Sequence, residues 1–217
     1  MTHIVPAFDA ERCAQFLAGT EGAPPRAQLM QAFAMWRGEA AAKGGRALDL
    51  GCGPGREVIE LLRAGFEVVA IDPYPEMLKR TRELVANDAT LAAAPKLTLI
   101  EATLEQFAAS IAPSSFDLIH AGFILPFVQR EHFASAWSHL SAGLKPQCSF
   151  VGQFFGADDE FIRQAAEGTM TSHTAAEVRA LLHDFDILTH DEVNRAGHIG
   201  RGQPKWWHVH HVIATKR

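Results

Sequence analysis

An apolar segment that runs into alternate glycines and then into a helical pattern leaves few folds open, and Arg46-Ala-Leu-Asp-Leu-Gly-Cys-Gly-Pro-Gly55 is such a segment. Gly51, Gly53 and Gly55 tolerate positive φ and carry no side chain, so a ligand can lie against bare backbone amides. A second apolar stretch, Glu67-Val-Val-Ala-Ile71, ends in Asp72, 21 positions beyond Gly51. A carboxylate at that spacing is placed to accept from ribose hydroxyls. Together the two features predict a nucleoside-containing ligand at the edge of an α/β sheet.

The rest of the chain repeats the strand–helix rhythm. Strands are expected at 47–50, 68–71, 97–100, 118–121 and 149–155, rich in Val, Ile, Leu and Phe with little alternation. That pattern suits strands covered by helices on both faces. Helical spacing joins Leu29, Met30, Phe33 and Trp36 in a helix over 26–42, then Met77, Leu78, Thr81, Leu84 and Val85, then Phe133, Trp137, Leu140 and Leu144. Thr174-Ala-Ala-Glu177 reads as a capping box. Two final strands, 185–193 and 206–215, have no helix between them, only a Gly-rich connection over 194–205 containing Pro204. So short a connection joins antiparallel neighbours. The expected fold is therefore α/β: a doubly wound, mostly parallel, Rossmann-like sheet of seven strands with an antiparallel last strand.

Composition narrows the function. A formal charge of -5 and the lack of a basic stripe argue against a nucleic-acid partner. Cys13, Cys52 and Cys148 are sparse, odd in number and unpaired in spacing, as in a reducing cytoplasm. No leader pattern opens the chain, and no apolar run nears the roughly 20 residues a membrane span needs. A soluble cytoplasmic protein of one domain is expected over 1–217, with 26–217 as core and 1–25 as an extension or lid.

The glycine turn separates two ligand classes. A dinucleotide fingerprint needs a third small residue for close helix–strand packing, but counting from Gly51 or Gly53 places Arg56 or Val58 there. Asp49, two residues before the first glycine, would repel a pyrophosphate yet could hold an ammonium group. S-adenosylmethionine has that ammonium and no phosphate.

These residues resemble a family. Asp49 to Gly55, Asp72, Phe116-Asp-Leu-Ile119 and the reversed terminal hairpin look like a class I S-adenosylmethionine-dependent methyltransferase. Ala121-Gly-Phe-Ile-Leu-Pro-Phe127 and Pro204-Lys-Trp-Trp-His208 look like the small bacterial branch related to tellurite-resistance methyltransferases. The resemblance implies S-adenosylmethionine as cofactor, S-adenosylhomocysteine as product, and Gly51, Cys52 and Gly53 at the methionine end, with Gly55 and Ala121 beside them. It implies that Asp49 orients the amino group, Asp72 accepts from the ribose, and Pro73 or Tyr74 flanks the adenine. Many relatives carry an Asp after the third strand for the adenine amine; here Thr103 takes that place and Leu104 offers a backbone amide. Pro146-Gln-Cys148 replaces the usual Pro-Gly-Gly before the fifth strand.

The acceptor is expected to be a small molecule. Its wall is placed at the carboxyl ends of the parallel strands, with Arg26, Phe123, Phe155 and Trp206 as lining residues. Trp206 and Trp207 point to opposite faces, so only one of them belongs to it. His120, at the end of the fourth strand, is the first candidate for a base, and His208 the second. Cys52 reads as a small apolar filler rather than a nucleophile. His208 and His210 share a sheet face as metal ligands would, but spacing reveals no third ligand, so no metal is expected. Two other classes stay open: a non-catalytic S-adenosylmethionine-binding or scaffold protein, and a nicotinamide-dependent oxidoreductase. Oligomeric state is also open.

Overall fold

The computed structural model describes residues 10–20, 22–36, 45–91, 96–199 and 202–217. Five parallel strands come first in sequence: β1 (Arg46–Leu50), β2 (Glu67–Asp72), β3 (Leu97–Glu101), β4 (Phe116–Ala121) and β5 (Leu144–Phe155). A long hairpin, β6 (Phe185–Ile199) and β7 (Gln203–Lys216), completes a seven-stranded sheet in the order β3-β2-β1-β4-β5-β7-β6. β7 runs antiparallel to both β5 and β6.

Alternation along the strands sorts their side chains into two apolar layers. Leu48, Leu50, Ile119, Phe150 and Phe154 face α5 (Leu104–Ala108), α6 (Arg130–Gly143) and α8 (Ala175–Leu181). Ala47, Val68, Leu118, Val151 and Ile213 face α2 (Ala27–Met35), α3 (Arg56–Arg63) and α4 (Pro75–Ala86). Both faces of the central strands are thus dry, which is why their sequences show continuous apolar runs. The order reverses between β1 and β4, and in open α/β sheets ligands bind beyond the strand ends at such a point.

Local expectations fared unevenly. The Thr174 capping box is present, with Thr174 Oγ1 accepting from Glu177 N–H and the Glu177 carboxylate accepting from Thr174 N–H. Helix α2 ends at Met35 with Trp36 as its cap; the expected extension toward 42 lies outside the described residues. Gln147, in the altered turn before the core of β5, keeps a left-handed φ of 62° although it is not glycine. The largest departure is the connection over 194–205. It is not a loop: the ladder continues from Asn194↔His208 to Ile199↔Gln203. Gly197 misled because glycine in a strand can also mark close approach, and a Cβ there would lie 2.8 Å from Trp207 Cδ1.

The start of β7 is pinned to the sheet rim by a buried ion pair. Lys205 Nζ donates to both carboxylate oxygens of Asp159, at 2.5 and 2.6 Å, and also lies 3.7 Å from the Trp207 ring centroid. Asp159 in turn accepts from Phe161 N–H, capping α7 (Glu160–Gln164), and from His208 N–H. Removing one member leaves the other charge buried and unpaired. Asp159→Asn is expected to destabilise the protein by about 3 kcal/mol in urea unfolding.

Candidate active site

The turn after β1 is shaped by backbone that only glycine takes readily. Gly51, Gly53 and Gly55 have φ of 63°, 53° and 88°. A Cβ on Gly55 would also lie 2.7 Å from the Thr81 side chain and 2.9 Å from Thr81 Cα, so α4 packs flush against the turn. Thr81 Oγ1 donates to Gly53 O at 2.9 Å. Asp72 closes the turn from the end of β2, accepting from Gly53 N–H at 2.9 Å and Tyr74 N–H at 3.0 Å. Burial outweighs those two donors and raises the Asp72 carboxyl to about 6. Cys52 is buried, and burial with Asp49 and Asp72 nearby pushes its thiol well above the ordinary value. It fills space, as expected, and is no nucleophile.

Beneath the turn sits a pair that local spacing does not reveal. Asp49 and His120 are neighbours across β1 and β4, and His120 Nδ1–H donates to Asp49 Oδ1 at 2.7 Å. Both side chains are 2% exposed. Burial holds the Asp49 carboxyl above its usual range even with His120 opposing it. The remaining polar atoms of the pair, Asp49 Oδ2 and His120 Nε2, are buried without a hydrogen-bond partner. Glu57 lies close by, accepting from Arg56 Nε and from the Arg26 backbone N–H. Burial pushes Glu57 up, but His120, Arg26 and Arg56 outweigh it and leave the carboxyl below its usual value.

A cavity of about 40 Å³ opens here between Gly51, Gly53, His120, Gly122 and Arg26. Phe16 and Thr20 of α1 (Ala10–Thr20) line its other side. A second cavity, about 260 Å³, lies between Phe123 and the hairpin residues Val193, Arg195, Trp207, Val209 and His211. Phe123 lines the second cavity, and its chain neighbour Gly122 lines the first. The Arg26 guanidinium lies 4.5 Å from one side of its ring system, and Trp207 and His211 approach it at 5.7 and 6.1 Å. Phe123 holds this position with a φ of 60°, and its N–H donates to the buried Gln153 Oε1.

The expected site residues divide accordingly. Asp49, Gly51, Cys52, Gly53, Gly55, Asp72 and His120 come together at the ends of β1, β2 and β4, and Arg26 and Phe123 border them. Ala121 is buried at the end of β4. Pro73 is half-buried beside Asp72. Thr103 sits just beyond β3, but its hydroxyl is taken up in capping α5, accepting from Gln106 N–H; Leu104 is buried in the core. Phe155 supports the larger cavity from behind, 6.0 Å from Phe123 and 6.2 Å from Trp207. Two expectations are corrected. Trp206 is 41% exposed and donates to Asn194 Oδ1; strand alternation turns Trp207 to the cavity instead. His208 alternates outward too, donating to Glu192 Oε1 at 2.8 Å, and lines neither described cavity. His211 and Arg195 were missed, because only the register of the long hairpin brings them to the wall.

Residues 47–147 match the family model described as a methyltransferase domain. That match runs from β1 into β5 and includes the glycine turn. The fold is shared by solved structures of low sequence identity. TehB from Haemophilus influenzae aligns with a TM-score of 0.72 at 16% identity, over 93% of this chain and 66% of TehB. This chain therefore spans just under two thirds of the TehB chain. Magnesium protoporphyrin IX methyltransferase from Synechocystis PCC 6803, with bound S-adenosylhomocysteine, aligns with a TM-score of 0.66 at 16% identity, over 97% and 96% of the two chains. The Burkholderia thailandensis 1,6-didemethyltoxoflavin-N1-methyltransferase gives 0.61 at 16% identity, over 95% and 85%. No curated protein matches the sequence significantly. No helix among the described residues is long and apolar enough to cross a membrane.

The raised Asp72 carboxyl has a consequence for stability. Its folded value of about 6 exceeds the ordinary 3.8, so between those values the folded state holds the proton more tightly. The Asp72 contribution to stability is then present below about pH 4 and is lost as pH rises through about 6. Urea unfolding from pH 4 to 7 is expected to show this downward contribution as the difference between wild type and Asp72→Asn.

Proposed function

We propose that this chain is an S-adenosylmethionine-dependent methyltransferase acting on a small molecule that carries an aromatic ring, seated against Phe123 and Trp207. The observation that carries the reading is the larger cavity, lined by Phe123, whose chain neighbour Gly122 lines the cavity at the glycine turn. Its volume of about 260 Å³ suits one or two rings, and its walls combine two aromatic faces with the Arg195 guanidinium and the His211 imidazole. The relatives from Synechocystis and Burkholderia thailandensis are described by ring-containing small molecules, magnesium protoporphyrin IX and 1,6-didemethyltoxoflavin, which agrees with this class.

The donor half follows from the groups left unpaired. S-adenosylmethionine supplies a methyl group already activated by a sulfonium leaving group. Asp49 Oδ2 and His120 Nε2 are buried acceptors with no partner, which is the chemistry an α-ammonium requires. Arg26, beside the same cavity, offers a fork for the α-carboxylate. Asp72 accepts from the ribose hydroxyls while keeping its bonds to Gly53 and Tyr74, because each carboxylate oxygen has a second lone pair. Pro73 and Tyr74 flank the adenine, with Thr103 and Leu104 beyond.

In this arrangement His120 is a positioning residue rather than a base. Asp49 fixes its tautomer, so Nε2 stays a lone-pair acceptor toward the ammonium. Phe123 and Trp207 orient the acceptor, and α1 covers the turn as a lid through Phe16 and Thr20. The protein's work is chiefly alignment and exclusion of water. The domain spans the described core, with α1 as its cover.

Three measurements test the reading. Labelled cofactor incubated with a metabolite extract should yield labelled aromatic products; label in no product of any extract would refute turnover. Asp72→Ala should weaken cofactor affinity at least about tenfold by calorimetry, while Trp207→Ala should raise acceptor KM about tenfold and leave cofactor affinity within about twofold. Because the ribose binds the ionised carboxylate, wild-type cofactor affinity should be level above pH 6 and fall by up to about tenfold per unit below it. A flat profile from pH 7 to 5 would remove Asp72 from the ribose.

A further inference from the structure

The hairpin that walls the larger cavity has a second face. Strand alternation sends Trp207, Val209 and His211 to the cavity and His208 and His210 the other way. Across the ladder His210 pairs with Glu192 and His208 with Asn194, so the two histidines meet a carboxylate that spacing alone does not reveal.

We propose that Glu192, His208 and His210 form a binding site for a divalent cation of the zinc type. Their donor atoms all lie within 4.8 Å of one another. His208 Nε2 is 2.8 Å from Glu192 Oε1, and His210 Nδ1 is 4.0 Å from Glu192 Oε2. Tetrahedral zinc with bonds of about 2.0–2.1 Å sets ligand atoms about 3.3–3.4 Å apart, between those two separations. Each carboxylate–imidazole separation is thus within about 0.7 Å of the tetrahedral value.

The surroundings supply what metal-binding histidines need. His210 is fully buried, and its Nε2–H donates to His173 O at 3.0 Å. That bond fixes the tautomer with Nδ1 as the acceptor, 4.0 Å from Glu192 and accepting from His190 Nε2–H at 3.3 Å, a bond that a metal at Nδ1 would displace. His208 is held on the side away from Glu192 by Asp158. Its Nδ1 now accepts from Asp158 N–H, and Asp158 Oδ2 stands 3.4 Å from the same nitrogen. Moving the ring proton from Nε2 to Nδ1 would exchange the bond from Asp158 N–H for one to the Asp158 carboxylate and free Nε2 for the metal. This is the carboxylate–histidine–metal arrangement, and it requires no net change in protonation. Two imidazoles and one carboxylate suit zinc better than calcium or magnesium, which favour oxygen shells. Glu192 is exposed, leaving the fourth position to water.

The cation would tie β6 to β7 directly behind the acceptor wall, so its role is structural bracing of that wall. The test uses the full-length chain without an affinity tag, stripped of metal and titrated with zinc by calorimetry. One zinc per chain is expected, with a raised thermal midpoint. Glu192→Gln and His208→Gln should each weaken binding at least about tenfold and abolish the thermal shift, while His132→Gln, at an exposed histidine elsewhere, should leave both intact. Cobalt in place of zinc should show tetrahedral d–d absorption in wild type and lose it in Glu192→Gln. Circular dichroism confirms that the variants remain folded; Glu192 is on the surface and its replacement is isosteric. Absence of stoichiometric zinc binding, or binding that survives both Glu192→Gln and His208→Gln, would overturn the proposal.

Discussion

A carboxylate buried at the end of a central strand needs a partner, and the bond from His120 to Asp49 provides one at the point where the strand order reverses. Much of the site is arranged around it. The chain leaving β4 must pass over the imidazole, and Gly122 permits this: a Cβ there would lie 2.7 Å from His120 Cε1 and 3.1 Å from Arg26 Nε. The next residue, Phe123, then turns back with positive φ and lines the larger cavity. His120 also favours the ionised form of Glu57, which anchors the start of α2 through the Arg26 N–H. One bond between neighbouring strands thereby sets the floor of one cavity and, through two residues of chain, the wall of the next.

The carboxylates around the glycine turn are held in different ways. Asp72 is satisfied by backbone donors yet raised by burial, and Asp49 is raised despite an imidazole 2.7 Å away. Neither has a lysine or arginine directly on it in the described structure, whereas the equally buried Asp159 is fully engaged by Lys205. The contrast separates a carboxylate with spare acceptor capacity from one devoted to holding the fold.

The glycine turn was legible because its information is local. Gly51, Gly53, Gly55, Asp49 and Asp72 lie within 24 residues, and each is constrained by backbone shape or by the end of a strand. His120 was recognised as a strand-end histidine, but its partnership with Asp49 spans 71 residues and depends on β1 and β4 becoming neighbours. The acceptor wall failed on phase. Alternation separates Trp206 from Trp207 but does not say which faces inward; the packing of Trp207 over Gly197 and beneath Lys205 decides it. Glycine and proline in 194–205 resembled a loop because their local preferences do not record the ladder that holds them. The same ladder brought Glu192 to His210, a contact between residues 18 apart that no spacing rule within one strand contains.

The two halves also differ in what they are made of. The donor groove is backbone, glycine and buried polar groups, where nearly every substitution alters chain shape or leaves an unmet hydrogen bond. The acceptor wall is a row of alternate side chains on a hairpin whose path is set by its own hydrogen-bond ladder and by the Lys205 anchor. Trading the residues at Val193, Arg195, Val209 and His211 would repaint that wall without moving a strand. Such a layout lets new chemistry be acquired by changes on one surface of one hairpin, while the machinery that handles the donor is inherited intact.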